Sequence, residues 1–153
     1  MCRLISIFLT IALMLPSVRA DRVAVIMAKD NRDINLSFKE LQNIFRRKVL
    51  VNANGQAWIP LNLTANHVLR IAFAQKLFDQ PPEAMENYWN ELYFQGIMPP
   101  YVVDSEEAML RFVSNTPGAI GYVLPCHLDN RVQVVANLKV NEPVEQGCNA
   151  VIP

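Results

Sequence analysis

Charge is scarce in this chain. Asp, Glu, Lys and Arg make up 18% of its 153 residues, where about a quarter is usual for a globular protein. The 14 bases and 14 acids cancel, which excludes a basic nucleic-acid arm and an acidic disordered tail. Glycine is sparse at five residues, and the ten prolines are scattered, so no low-complexity linker divides the chain. Only two histidines occur, His67 and His127. Neither has a cysteine or carboxylate at metal-ligand spacing, so no metal site is read. A Gly-x-Ser-x-Gly elbow, a phosphate-binding Gly-rich loop and a dinucleotide fingerprint are all missing, and with them the usual grounds for catalytic residues or a cofactor. The adjacent acids Glu106 and Glu107 open a helix, where the dipole explains them without acid–base chemistry.

Long apolar runs are also lacking. Residues 4–15 form a 12-residue apolar stretch, short of the roughly 20 that span a bilayer. Arg3 precedes the stretch, and small or short residues at Val18 and Ala20 follow it. This is the pattern of a secretory signal peptide over residues 1–20, which leaves a single domain at 21–153. Cleavage would remove Arg3 and Arg19 and no acid, so 12 bases would face 14 acids. Such a balance gives no pull towards nucleic acid and no stable membrane insertion. The expected location is the periplasm or the exterior, where cysteines pair. Cys126 and Cys148 are the two that remain, and a disulfide between them is expected. The neighbours Cys126 and His127 point to opposite faces of an extended chain and make a poor nucleophile–base pair.

What the sequence does have is order. Residues 22–27 form a β-branched apolar run, read as a buried strand. Ser37 and Glu40 form a capping box for a helix with Leu41, Ile44 and Phe45 on one face and Arg46, Arg47 and Lys48 in its last turn. A turn at 52–55 leads to an extended segment at 58–63. A helix over 66–78 follows, striped by Leu69, Phe73, Leu77 and Phe78, with Thr64 or Asn66 as its natural cap. Pro81 and Pro82 open a third helix carrying Met85, Tyr88, Trp89 and Leu92, ended by Gly96. After a short extended piece at 101–103, Ser105 caps a fourth helix with Met109, Leu110, Phe112 and Val113 inward. Strands follow at 119–123 and around Val132, Val134 and Val135. About four helices alternating with strands make an α/β domain of two or three layers.

The run Thr116-Pro117-Gly118-Ala119-Ile120-Gly121-Tyr122-Val123 resembles a signature of the periplasmic phosphate-binding proteins of ABC transporters. The segment 105–110 precedes it at the expected distance. The helix at Leu41–Phe45 is similar to the family's early helix, and Tyr88-Trp89 through Gly96 with Pro99-Pro100 looks like its short single-domain branch. The resemblance implies a type II periplasmic-binding-protein-like fold of one lobe or a minimal form. It implies recognition of a small oxyanion, phosphate above all, on behalf of a membrane transporter or sensor. The family starts the relevant helix with Ser-Gly-Thr, and the matching positions here are His67, Val68 and Leu69. Helix N-termini hold anions by unpaired amides alone, so the candidate ligand set is Thr64, Asn66, His67, Arg70, Ser105 and Thr116. The alternative is a ligand-free interaction module of the same fold that contacts a membrane partner.

Overall fold

Proline lacks the N–H that a sheet ladder needs, and one proline shapes this sheet. In a computed structural model, which describes residues 20–29 and 34–144, strand β2 (Ile59–Leu63) is parallel to two neighbours but bonds them with different residues. Ile59 and Pro60 pair with Ala119 and Ile120 of β4 (Ala119–Val123). Beyond Pro60 the ladder passes to the other side, where Leu61, Asn62 and Leu63 pair with β3 (Tyr101–Val103). Strands β2 and β4 therefore part at their C-terminal ends. On the far side of β4, β1 (Ala20–Ala28) is antiparallel to it and to β5 (Val132–Val144). The sheet order is β3-β2-β4-β1-β5.

The helices cover both faces. Helix α1 (Phe38–Phe45) and helix α2 (Val68–Phe78) pack on one face, and α4 (Glu106–Asn115) packs on the other against β4, β1 and β2. A short 3-10 turn, Pro82–Met85, runs into α3 (Glu86–Phe94). Alternation along β4 sorts the layers. Tyr122 faces α2 and stacks on Phe73 with ring centroids 3.8 Å apart, while Phe45 of α1 meets Phe73 edge-on at 4.8 Å. Gly121 faces α4, where an added Cβ would press on the Met109 side chain. The expected α/β class and its four helices are present, and the core takes in Leu41, Ile44, Phe45, Leu69, Phe73, Leu77, Phe78, Met85, Met109, Leu110 and Val113. The fourth helix turns inward less fully than expected at Phe112, which is half-buried.

Three boundaries differ from expectation. The cations after α1 do not sit in its last turn, because the helix ends at Phe45 and Arg47 turns left-handed (φ 57°). Arg47 then donates to the Trp58 carbonyl at 2.8 Å, and Arg46 lies 5.1 Å over the Phe78 ring. Helix α2 starts at Val68, two residues late, for the capping reason given below. Strand β5 runs on to Val144, because Leu138 and Val140 bury their side chains while Asn137, Lys139 and Asn141 face water. A bulge at Val135, between the pairs Val25↔Ala136 and Ile26↔Val134, breaks the two-residue rhythm that would have announced this strand. The predicted leader lies outside the described residues except for Ala20, with which β1 begins. Cys148 also lies outside them.

Candidate functional site

In an α/β sheet, ligands settle beyond the C-terminal ends of strands that part from one another. The parting of β2 and β4 makes such a crevice, and side chains from three elements fill its base. Where the next ladder bond would fall, the Leu63 N–H instead donates to the Tyr122 hydroxyl at 3.2 Å. That hydroxyl lies 3.3 Å from Asn62 Oδ1, which also accepts from Arg70 Nη1 at 2.6 Å. Burial pushes the Tyr122 hydroxyl up to a pKa of about 12, since the ionised form would lose its hydration.

Arg70 is the unexpected member. It is only 7% exposed, although a cation in the first turn of a helix ordinarily reaches water. Among the described residues it forms no ion pair with a carboxylate, and the side chains it meets, Asn62 and Tyr122, are neutral. A buried guanidinium normally sits beside an acid. The sequence held only a weak signal for this: Arg70 lies one step from Leu69 and three from Phe73, on the edge of the apolar stripe.

Helix α2 is capped by neither Thr64 nor Asn66. The Thr64 carbonyl accepts the His67 N–H at 3.0 Å, which closes a turn and delays the helix. His67 is then the cap, its Nδ1 accepting the Leu69 N–H at 3.2 Å. That bond fixes the tautomer and leaves the Nε2–H as a donor. Asn66 is exposed, and Thr64 is half-buried. The parallel pair Leu63↔Val103 brings Thr64 and Ser105 to the same edge of the sheet, one and two residues further on. Thr116 is set apart. It ends α4 just before β4, and the pairing of Ala119 with Ile59 places it at the opposite edge, beside a helix's negative end.

The two helix N-termini at this edge differ in charge. Ser105 caps α4 and accepts the Ala108 N–H at 3.1 Å, while Glu106 and Glu107 already occupy its first turn. Glu106, with its side chain 12% exposed, accepts the Leu124 N–H at 2.6 Å and lies 3.0 Å from His127 Nδ1. The sequence spacing hid this histidine–carboxylate pair, which the turn Pro125–His127 brings together. The pair ties α4 to the end of β4. Glu107 is held below the usual carboxylate range by Arg131, which donates to it at 2.8 and 3.0 Å. Helix α2 has no acid in its first turn. No acid of its own first turn offsets its positive end, and Arg70 adds to it.

Solved structures share this arrangement of elements. An ABC-type phosphate transport receptor from Vibrio cholerae matches with a TM-score of 0.60 and 17% identity, over 76% of this chain and 46% of the receptor. A putative phosphate ABC transporter substrate-binding protein from Clostridium perfringens, crystallised with bound phosphate, matches with a TM-score of 0.60 and 18% identity, over 77% of this chain and 46% of that one. This is a periplasmic-binding-protein-like fold, one lobe in size. PstS from Borrelia burgdorferi shares it more loosely, with a TM-score of 0.51 and 15% identity over 69% of this chain and 42% of its own. The lobe spans less than half the length of each of these proteins. No protein-family profile matches it, and a search of curated proteins finds no significant relative. Among the described residues, no group of three or more His, Cys, Asp and Glu side chains is placed to hold a metal ion, and no helix is long and apolar enough to cross a membrane.

The lobe's opposite edge is different in kind. There a cleft of about 600 Å³ is floored by Met27, Ile44 and Trp58 and rimmed by the amides of Asn43, Asn115 and Gln133. It brings none of the expected ligand residues together.

Proposed function

We propose that this chain is an exported, non-catalytic solute-binding protein that takes a small oxyanion, phosphate first, at the N-terminal end of α2. The observation that carries the reading is Arg70, a buried cation without an acid partner among the described residues, in the first turn of a helix that has no acid there. An anion at that end would meet the helix dipole, free amides and a guanidinium fork together. The His67 Nε2–H and the hydroxyls of Thr64 and Ser105 stand at the same edge as further donors. The likeness to phosphate receptors, one of them crystallised with phosphate, supports this ligand class. It also supports a role in handing solute to a membrane transporter or sensor. A disulfide between Cys126 and Cys148 belongs to the same exported reading.

The test is thermal unfolding in phosphate, sulfate and molybdate against chloride at matched ionic strength. A ligand at a hundred times its dissociation constant adds about 2.7 kcal/mol, a rise of several degrees in the midpoint for a domain of this size. Arg70→Met should abolish that response and leave the ligand-free midpoint unchanged or higher, because an apolar side chain of similar volume replaces a buried charge. A cooperative sample that responds to none of the oxyanions would sink the proposal. The fold would then be read as the interaction module contacting a membrane partner.

A further inference from the structure

Strand β3 forms one edge of the sheet, beside an unusual run of sequence. From Leu92 to Val103 there is no charged residue. Sheet edges are ordinarily protected by charge, because their unpaired N–H and C=O groups invite another strand. Strand β3 bonds only β2, and among the described residues no strand lies on its outer side. Its side chains Tyr101 and Val102 are 63% and 62% exposed, and Phe94, Tyr93 and Met98 are 88%, 60% and 57% exposed. A tight turn groups them: the Gly96 N–H donates to the Tyr93 carbonyl at 2.9 Å, and the Ile97 N–H to the Leu92 carbonyl at 3.0 Å.

We infer that β3 and the α3–β3 turn form a self-docking face, on which a second copy of this chain pairs about a two-fold axis near Val102. Area supports a second copy. A buried aromatic side chain covers 150–250 Å², so three aromatics and two aliphatics at these exposures offer on the order of 500 Å² per chain. A two-fold pair doubles this to about 1,000 Å², the lower bound for a specific interface. Charge supports it as well. A run without charge meets its own copy without repulsion between its side chains, and its composition of Tyr, Phe and Met without Lys, Glu or Asp is that of an interface centre. A membrane surface would instead call for Lys or Arg around the apolar residues, and this run has none.

Sedimentation equilibrium of the purified protein from 1 to 300 μM tests the inference. The expected result is a monomer–dimer equilibrium with a dissociation constant in the micromolar range. Phe94→Glu and Val102→Lys should each weaken it at least tenfold. Both side chains are exposed, and circular dichroism and thermal unfolding would verify that each variant keeps its fold. Val51→Glu alters an exposed apolar residue at the other edge of the sheet and should leave the equilibrium unchanged. A protein that stays monomeric at 300 μM overturns the inference. So does a dimer indifferent to both interface variants, or one that Val51→Glu weakens as much.

Discussion

The two edges of the sheet are built from the same materials and have opposite character. Where β2, β3 and β4 end, backbone amides of two helix N-termini, the Tyr122 hydroxyl, Asn62 and Arg70 gather around a crevice. Where β2 and β4 begin, the helix α4 shows its carbonyl end and Met27, Ile44 and Trp58 floor an apolar cleft. Strand direction is the cause. In a strand-to-helix unit the helix begins where the strand stops, so donors and positive dipole ends collect at one edge and acceptors at the other. The crevice opens only because β2 changes partner at Pro60. The apolar cleft offers neutral amides, whereas the crevice is backed by a buried cation.

The largest effect that would break this picture is expected at the apolar edge. Gly118 has φ +82°, and a Cβ there would collide with the Ala57 carbonyl oxygen. Gly118→Ala should therefore cost about 3 kcal/mol or more in urea unfolding. A loss below about 1 kcal/mol would show that the entry of β4 beside β2 can relax, and that this edge is less fixed than the geometry implies. At the polar edge the expected effect is of similar size and depends on pH. The folded Tyr122 is raised to about 12 from an ordinary 10.0, so its contribution is complete below pH 10 and is lost as pH rises towards 12. Two units correspond to about 3 kcal/mol. Thermal midpoints between pH 9 and 12 should fall in the native protein, and Tyr122→Phe should flatten that slope. An equally steep slope in the variant would assign alkaline loss elsewhere. The smallest effect is expected between the edges, at Gly121. An added Cβ there meets Met109 and, at 3.2 Å, Val113 Cγ2. Methionine is flexible enough to yield, so Gly121→Ala should cost about 1–2 kcal/mol. Finding it worse than Gly118→Ala would mean that backbone conformation matters less here than side-chain packing.

Much of the fold was legible because it is written in local patterns. The β-branched run of β1, the Ser37–Glu40 capping box and the inward stripes of α2 and α4 each declare an element without reference to any other. The box is present as read, with Glu40 Oε2 2.8 Å from the Ser37 N–H. The Pro117–Tyr122 run carried a family likeness that the solved structures match at the level of fold. Less of the candidate site was legible. Its edge was anticipated at Thr64, Asn66 and His67, but the cap moved to His67 because a turn intervened, and Thr116 went to the far edge with the other end of α4. Glu106 and His127, 21 positions apart in sequence, meet 3.0 Å apart.

By itself, then, the sequence determined which segments become helix or strand and which face of each is apolar. These depend on neighbours within one or two turns. It also determined the absence of charge along β3, which is composition alone. Only the tertiary structure decided that Arg70 is buried against Asn62, with no acid paired to it among the described residues, and that β2 and β4 part beyond Pro60. Only it decided that the two ends of α4 serve opposite edges. Burial and electrostatic compensation belong to what surrounds a side chain in space, and no spacing along the chain specifies that.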